Sequence, residues 1–398
     1  MKIIQINSVV NDFSTGRISR NLSYAMDDNG IENKIIFGVG EPYDANNIKI
    51  GSTAALKLNI LRTRLFGKHS FYSEHETRRI IDLLRDEKPD IVHLHQMHGH
   101  YINIKLLFEY LAVNDIPTVW TIHDCWPLTG HCAHFDECGC MKWKTGCGGC
   151  EQLHRYPISW FFDRSEEAWR DKKRLYNMHK NLHIVTPSDW LLGLVRQSIL
   201  KDKPAVRIYN GIDHNIFKPD IPGFRAKHGL GDEYVILSVY KNDIRSIDLY
   251  NNIAARLGGN ERLAVIGLPL ELIDRLDKRI IAEPYLNKYD LAKAYSGADV
   301  FLNTTTEESF GLVIAEVLFC GTPAVVCDRT AIPEVVGSSE CGEILHEFSV
   351  ENIMNAIYKI KNSGMDYKTT CVNRADALFE KNKNNNKYID LYKTILEE

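Results

Sequence analysis

The stretch Glu307-Glu308-Ser309-Phe310-Gly311-Leu312-Val313-Ile314-Ala315-Glu316 decides the fold of this chain. The apolar run at 298–302 comes just before it and is typical of a buried parallel strand. Gly311 lies where this strand gives way to a helix. We predict that the helix runs from about Leu312 to Phe319, because Gly321 and Pro323 end it. A buried strand, a glycine turn and a helix in this order indicate an α/β domain.

The turn before this helix predicts an anion site. A helix N-terminus carries partial positive charge, and its first backbone N–H groups are available to a ligand. Glu308 comes just before the helix and Glu316 about two turns inside it, so both offer acceptors for hydroxyl groups near that anion. A phosphate flanked by two sets of hydroxyls is the outline of a sugar nucleotide. The alternative interpretation is a solvated glutamate beside an ordinary helix stop.

The stretch resembles the E-x7-E motif of retaining glycosyltransferases of family 4, which have the two-domain GT-B fold. The match continues through Cys320-Gly321-Thr322-Pro323 and Ile332-Pro333-Glu334-Val335-Val336. The resemblance implies an α/β chain of two doubly wound Rossmann-like domains facing a cleft. Residues 1–212 would form the acceptor-side domain and residues 213–380 the nucleotide-sugar-binding domain. Residues 381–398 would form a C-terminal helix that packs back on the first domain.

The composition sets the class of protein. The chain has 398 residues, which suits two domains, and 44% of them are hydrophobic, as in globular proteins. A net charge of −4 gives no global attraction to nucleic acid. No signal peptide opens the sequence, and no run reaches the length of a membrane span. We therefore expect a cytoplasmic protein, with peripheral contact at the inner face of the membrane left open.

Residues 54–70 mix apolar and basic side chains. Leu58, Leu61, Leu65 and Phe66 can share one face of a helix, with lysines and arginines around it. Such a segment can lie on an anionic membrane, and the lipid-linked acceptors of the resembled family fit that interpretation. The alternative is a helix that buries this face and carries ordinary surface charges.

Three residues of the first half are candidates for the site. Gly16 lies in the polar loop after the first predicted strand, where the resemblance implies a close approach of backbone to the acceptor or the donor phosphate. His95 and His123 each follow an apolar strand, and polar groups at such strand ends meet at one edge of a parallel sheet. We interpret His95 as a structural hydrogen-bonding residue. The sequence Thr121-Ile122-His123-Asp124 resembles the family position that contacts the donor sugar.

A cysteine-rich insert at 125–150 holds six of the ten cysteines. Cys147-x-x-Cys150 is a pair typical of zinc sites, and a second pair can come from Cys132 with Cys138 or Cys140. Four of these five thiols predict a structural zinc, with His131 or His134 as substitutes. Unmetallated thiols are the alternative. A subset of the family, resembling colanic-acid, O-antigen and capsule transferases, has a similar cysteine pattern here, and the resemblance implies no metal or cofactor for catalysis.

The second half opens with an apolar strand followed by Lys241 and Arg245. The family has an arginine and, five residues later, a lysine at this place, and this cationic pair binds the donor diphosphate. Here the two types are exchanged and the spacing is one residue shorter. Since lysine is a point charge and arginine a planar fork, the geometry must differ from the family's. Two ordinary surface cations are the alternative interpretation.

The resemblance implies transfer of a sugar from a UDP- or GDP-sugar to a hydroxyl of a growing, lipid-linked surface polysaccharide, with retention at the anomeric carbon. It assigns the catalytic roles to His123, Lys241, Arg245 and Glu308. It adds Gly16 and Glu316, with the segment Ser309, Phe310, Gly311, Leu312 and Val313, as donor contacts. A GT-B epimerase, hydrolase or phosphorylase is an alternative, and a non-catalytic donor-binding member of a glycan-assembly complex is another. We predict the last helix from about Tyr388 to Leu396 and a solvated turn at 381–387.

Overall fold

The computed structural model describes residues 1–11, 13–241 and 243–397 and divides the chain into two compact units. Unit 1 comprises Met1–Tyr209 with Asn382–Glu398, and unit 2 comprises Asn210–Lys381. Each unit is an α/β domain built on one parallel sheet. In the described residues, no helix is both long and apolar enough to span a bilayer.

Within its described part, unit 1 has a seven-stranded parallel sheet in the order β3-β2-β1-β4-β5-β6-β7. The strands are β1 (Lys2–Val9), β2 (Glu32–Val39), β3 (Asn47–Lys49), β4 (Ile91–Leu94), β5 (Thr118–Thr121), β6 (Leu182–Thr186) and β7 (Ala205–Arg207). The helices are α1 (Phe13–Asp28), α2 (Thr53–Phe66), α3 (Glu74–Glu87), α4 (Ile104–Val113), α5 (Ser165–Met178) and α6 (Asp189–Val195). Two short 3-10 helices, Trp126–Leu128 and Lys142–Lys144, lie in the cysteine-rich insert.

Unit 2 has, in its described residues, a six-stranded parallel sheet in the order β10-β9-β8-β11-β12-β13. The strands are β8 (Tyr234–Val239), β9 (Glu261–Ile266), β10 (Ile281–Glu283), β11 (Val300–Leu302), β12 (Ala324–Cys327) and β13 (Gly342–Leu345). The helices are α7 (Phe224–Lys227), α8 (Arg245–Ala254), α9 (Leu270–Ile273), α10 (Lys288–Gly297), α11 (Leu312–Phe319), α12 (Ile332–Val336), α13 (Val350–Asn362) and α14 (Tyr367–Phe379). The last helix of the chain is α15 (Lys381–Glu397).

Local sequence explains many element boundaries. The strands are nearly continuous apolar runs because helices cover both faces of a parallel sheet. Side-chain caps begin several helices by accepting a backbone N–H, as Ser188 does from Leu191 and Ser349 does from Asn352. Helix α11 has the predicted bounds Leu312–Phe319.

The C-terminal helix α15 packs on unit 1, as the resemblance predicts. Tyr388, Ile389, Tyr392 and Ile395 join a buried cluster with residues of β1, β4, β5 and β6. The Tyr392 hydroxyl lies 2.6 Å from Nδ1 of His93, a residue of β4. The prediction of a short final helix was wrong, because α15 already begins at Lys381. The asparagine-rich run at 381–387 is helical since tertiary contacts, such as the bond from Asn385 Nδ2 to the Asn21 carbonyl (3.2 Å), override its weak helix propensity.

Candidate functional site

In unit 2, the predicted donor residues follow the two strands where the sheet order reverses. Strands β9 and β10 continue the sheet on one side of β8, and β11 to β13 continue it on the other. Ligands of open parallel sheets bind outside the carboxyl ends of the strands at such a point. Lys241 and Arg245 come after β8, and the stretch 307–316 comes after β11. Ser238 joins the two strand ends by donating to the Leu302 carbonyl (2.8 Å).

Gly311 forms the turn that leads into α11. Its φ of 99° lies in the left-handed region, where a side chain is strained, and a Cβ there would lie 3.2 Å from Ile314 Cδ1. No side chain caps α11 in the described structure. The turn therefore directs the first amide groups of the helix toward the carboxyl edge of the sheet, where an anion would be stabilised.

The two glutamates of the stretch differ in exposure. Glu316 lies in α11 and is 5% exposed, whereas Glu308 lies in the preceding loop and is half-buried. The loop is fixed against the segment before α12, because Glu308 N donates to Thr330 Oγ1 (3.1 Å) and Ala331 N donates to the Glu308 carbonyl (3.3 Å). A buried carboxylate requires polar partners, so Glu316 is the less replaceable of the two.

The side chains between the glutamates have different surroundings. Phe310 is 2% exposed and packs edge-on against Phe379, with ring centroids 5.5 Å apart. Its ring therefore belongs to the core, which leaves its backbone as the part that can meet a ligand. Ser309, Leu312 and Val313 are half-buried.

Of the two cations predicted to bind the diphosphate, Arg245 already binds a carboxylate of the protein, that of Asp243. Arg245 begins α8, and its guanidinium binds Asp243 through Nε–Oδ1 (3.0 Å) and Nη2–Oδ2 (2.9 Å) contacts. Lys241 is exposed just after β8. A diphosphate that binds Arg245 would therefore share the guanidinium with the Asp243 carboxylate or displace it, and the sequence alone did not indicate this contact.

In unit 1, the sheet order reverses between β1 and β4. The expectation that Gly16 lies in a loop was wrong, because α1 begins at Phe13 and Gly16 is in its first turn. A Cβ on Gly16 would lie 3.0 Å from Asn11 N and 3.1 Å from the Val10 carbonyl carbon. Gly16 thus allows α1 to start close to the end of β1, which is a packing role that the structure shows directly.

His123 follows β5 and is part of a row of imidazoles. His95 Nδ1 lies 3.2 Å from His123 Nε2, and His95 Nε2 lies 2.9 Å from Gln5 Oε1. The His95 and His123 rings stack with centroids 5.5 Å apart. Burial lowers the pKa of His123 to about 4, although the neighbouring Asp124 carboxylate opposes this shift. His123 is therefore a neutral imidazole near pH 7, positioned by a buried His95.

A second polar group at the same edge was not predicted. His98 Nε2 lies 2.6 Å from Asp124 Oδ2, and His98 Nδ1 lies 2.8 Å from the Tyr156 hydroxyl. Burial raises the pKa of Asp124, but the His98 interaction and hydrogen bonds outweigh it and bring the value to about 2. From the sequence, Asp124 is only the residue after His123, and no role is predicted for it. Nothing in the sequence indicated that Tyr156 would join this cluster. This cluster presents a carboxylate, an imidazole and a half-exposed phenol beside His123.

A buried lysine fixes the first residues of the cysteine-rich insert. Lys172 Nζ donates to the carbonyls of Trp126 (2.7 Å) and Thr129 (3.0 Å) and lies 3.3 Å from the centre of the Trp126 ring. Burial holds the pKa of Lys172 well below its usual range. Nothing in the sequence indicated this role, since a lysine in a helix is usually exposed.

The five candidate zinc ligands, Cys132, Cys138, Cys140, Cys147 and Cys150, line one small cavity. Cys132 and Cys150 are hydrogen-bonded to each other, and Cys147 Sγ accepts from Gly130 N (3.2 Å). Cys138 instead donates to the Phe135 carbonyl and accepts from Gln152. Across the described residues, no three His, Cys, Asp or Glu side chains come together so as to hold a metal ion. The side chains are thus of a kind that binds zinc and they line the same cavity. Their sulfur atoms are not arranged around a common point, as zinc ligands would be.

Both units match known families of proteins. The family model described as Glycosyltransferase Family 4 matches residues 16–216, and the one described as Glycosyl transferases group 1 matches residues 235–377. The chain is 24% identical over 361 residues to an Escherichia coli (strain K12) protein described as the colanic acid biosynthesis glycosyl transferase WcaC. That alignment covers 85% of this chain and 86% of the E. coli protein.

Solved structures share the fold at low sequence identity. Sucrose-phosphate synthase from Thermosynechococcus elongatus has a TM-score of 0.72 at 16% identity, covering 100% of this chain and 99% of that chain. The Anabaena protein HepE in complex with UDP has a TM-score of 0.69 at 12% identity, covering 99% of this chain and 100% of that chain. These likenesses confirm the predicted GT-B fold.

Proposed function

The chain belongs to glycosyltransferase family 4, and on that premise we propose that this transferase moves a sugar from a nucleotide diphosphate to a glycan hydroxyl with retention of configuration. The observation that carries the proposal is the position of the stretch Glu308–Glu316. It follows β11 where the sheet of unit 2 reverses, and Lys241 and Arg245 follow the neighbouring strand β8. Two carboxylates, a helix N-terminus and two cations at one sheet edge suit a sugar nucleotide.

Each residue then has a role at the donor. The buried Glu316 accepts hydrogen bonds from the ribose hydroxyls, and Glu308 accepts them from hydroxyls of the donor sugar. Lys241, Arg245 and the backbone N–H groups near Gly311 and Leu312 stabilise the charge that grows on the leaving diphosphate. Ser309, Phe310 and Val313 contribute through the loop and first turn that place these groups, with Phe310 acting through its backbone.

The reaction breaks the bond from the anomeric carbon to the diphosphate oxygen. The acceptor hydroxyl oxygen forms the new bond on the same face of the sugar, and its proton passes to the leaving diphosphate. No metal or cofactor enters these steps. His123 contacts the sugar as a neutral imidazole, because burial lowers its pKa to about 4. A neutral histidine donates or accepts a hydrogen bond without repelling positive charge that develops on the sugar ring.

The donor is a UDP- or GDP-sugar, and UDP is favoured by the likeness to HepE, whose structures contain UDP and UDP-glucose. The acceptor is a growing surface polysaccharide on a lipid carrier, of the O-antigen or colanic-acid type. The relation to the E. coli colanic acid transferase supports this class of acceptor.

A structural zinc in the insert is the remaining part of the proposal. It is supported by five cysteines that line one cavity and by the N–H···S bond to Cys147. Zinc would supply cross-links to a segment with few regular elements and would take no part in the transfer. Metal analysis of protein purified without chelator tests it, and a zinc content well below one per chain would contradict it.

A donor screen tests the proposed function. Ligand that binds only the folded state raises the melting temperature, so one UDP- or GDP-sugar should shift it in a panel. With that donor, Glu316→Ala should lose roughly one to two orders of magnitude in rate, the loss expected for one charged hydrogen bond. Glu347→Ala, an exposed glutamate of the same unit, is the matched control and should leave the rate unchanged.

The outcomes separate the alternatives. An unchanged rate in Glu316→Ala would contradict the donor assignment. Interconversion of free sugar nucleotides without acceptor would identify an epimerase, and release of free sugar would identify a hydrolase. Donor binding without any turnover would indicate a non-catalytic donor-binding protein.

A further inference from the structure

Helix α2 packs on unit 1 with two polar residues as its fully buried positions. Its fully buried residues are Asn59 and Thr63. Asn59 Nδ2 donates to Ser73 Oγ (2.7 Å) and to the His100 carbonyl (3.3 Å), and Thr63 Oγ1 lies 3.1 Å from His100 Nδ1. These bonds fix the orientation of α2. We call α2 the inverted helix, because a surface helix normally buries its apolar stripe.

Three large apolar side chains of the inverted helix are exposed to solvent. Leu58 is 47% exposed, Leu61 is 44% exposed and Phe66 is 52% exposed. Leu58, Leu61 and Leu65 follow one another at helical spacing and so lie on one face. The sequence left open whether Leu58 and Leu61 contact a membrane or the protein core. In the structure these two side chains are not in the core.

A second apolar segment lies against the end of this helix. Trp160, Phe161 and Phe162 are 44%, 69% and 48% exposed, and we call them the aromatic turn. Trp160 N donates to the Arg64 carbonyl (2.7 Å), and the Arg64 guanidinium carbon lies 5.6 Å from the centre of the Trp160 ring. The buried Ser159 holds the turn in shape by donating from Oγ to the Phe162 carbonyl (2.8 Å). The inverted helix and the aromatic turn thus form one continuous surface.

The charge of this surface is positive. The inverted helix contains Lys57, Arg62 and Arg64 and no acidic residue, although the whole chain has a net charge of −4. Lys57 and Arg62 are exposed, and the structure gives them no carboxylate partner in its described part. Continuous exposed apolar surface marks an interaction site. The interface of an anionic bilayer binds surfaces that combine tryptophan, phenylalanine and leucine with lysine and arginine.

We propose that the inverted helix and the aromatic turn bind unit 1 to an anionic membrane surface. The inference deepens the proposed function, on which it rests for the lipid carrier of the acceptor. The surface is built on the polar cluster at the sheet edge, because Tyr156 binds His98 four residues before the aromatic turn and His100 anchors the inverted helix. A lipid-linked acceptor would therefore reach Asp124, His98 and Tyr156 directly from the bilayer interface.

Vesicle co-sedimentation of the full chain tests the proposal. The wild type should sediment with vesicles of equal parts phosphatidylcholine and phosphatidylglycerol and far less with phosphatidylcholine alone. Phe161→Ser with Phe162→Ser should weaken the partition roughly tenfold or more, because two aromatic rings leave the interface. Lys57→Glu with Arg62→Glu should weaken it about tenfold or more on the anionic vesicles only.

Matched controls carry the same changes elsewhere. Val113→Ser with Leu270→Ser removes two exposed apolar side chains, and Lys201→Glu with Lys393→Glu reverses two exposed lysines of unit 1. Both control pairs should sediment like the wild type. Melting temperatures of all variants show whether each is folded, and Leu58→Ser with Leu61→Ser provides a second apolar test if the aromatic variant is not.

Three results would overturn the proposal. The first is a wild type that sediments equally with neutral and anionic vesicles. The second is a loss of vesicle binding in the control pairs that equals the loss in the test pairs. The third is unchanged vesicle binding in both the aromatic variant and the Leu58→Ser, Leu61→Ser variant. A wild type that is dimeric by light scattering and becomes monomeric in the aromatic variant would assign the surface to a second copy of the chain instead. The assay contains no donor, so Glu316→Ala should bind vesicles normally. Failure of the membrane proposal is thereby separate from failure of the proposed transferase reaction.

Discussion

The two sheet edges of this protein are built in different ways. In unit 2, the candidate donor residues come from one short stretch after β11 and one loop after β8. In unit 1, the polar cluster combines His98, His123, Asp124 and Tyr156, which come from three separate loops. The first edge can be recognised in the sequence because its residues are neighbours in the chain. The second is recognisable only once the sheet brings its loops together.

The histidines provide the strongest contrast between the units. Unit 1 contains His93, His100, His123 and His179, whose pKa values burial lowers to between about 3 and about 4. The unfolded chain binds protons on these groups below about pH 6.5, while the folded unit does not. The free energy of unfolding of unit 1 should therefore fall as the pH drops from about 6.5 toward 4, by about 1.4 kcal/mol per pH unit for each fully buried histidine.

The six tryptophans of the chain all lie in unit 1, so their fluorescence reports on that unit alone. Urea unfolding followed by tryptophan fluorescence at several pH values measures the effect. His179→Gln should reduce the slope, since Gln can still bind Thr118 but does not titrate. A free energy of unfolding that is constant between pH 7 and pH 5 would contradict the assignment of neutral, buried histidines.

The next largest effect concerns the cations of unit 2. Lys241→Ala with Arg245→Ala should lower kcat/KM for the donor by roughly two to three orders of magnitude, because two charge-assisted contacts to the diphosphate are lost. Arg256→Ala with Lys278→Ala removes two exposed cations of the same unit and serves as the control. Steady-state kinetics measures both, and equal rates in the two double variants would make Lys241 and Arg245 ordinary surface charges.

Asp124 provides the corresponding test in unit 1. Asp124→Asn keeps the shape but removes the charge that binds His98, and should lower the free energy of unfolding by about 1.5–3 kcal/mol. Tryptophan fluorescence during urea unfolding measures this change. Asp115→Asn, at an exposed turn with φ of 47°, should change stability by less than about 0.5 kcal/mol. If Asp124→Asn is as stable as its control, the Asp124 carboxylate does not stabilise unit 1 through His98.

The smallest expected effect separates Arg245 from its internal partner. Asp243→Asn removes the carboxylate that competes with the donor diphosphate but keeps the acceptor for Arg245 N (3.0 Å). Because an exposed ion pair is worth about 0.2–1 kcal/mol, donor binding should tighten by up to about fivefold. Isothermal titration with the donor measures the change. Weaker binding would instead show that Asp243 helps to form the site.

The sequence by itself determined what depends on neighbours in the chain. It predicted the bounds of α11, the glycine turn at Gly311, the α/β class and, through the family motif, the GT-B fold. It predicted a zinc site from four of five cysteines; the five line one cavity, and the zinc site stays a prediction. The assignments of donor, acceptor and catalytic residues stay predictions.

Tertiary structure alone decided what depends on distant partners. It made the asparagine-rich segment at 381–387 helical, with Asn385 bonded to the distant Asn21 carbonyl. It assembled the cluster of Asp124, His98 and Tyr156. It also buried Asn59 and Thr63 of α2, because their hydrogen-bond partners Ser73 and His100 come from other segments of unit 1. Periodicity shows which side chains share a helix face, but the hydrogen bonds available in the core decide which face is buried.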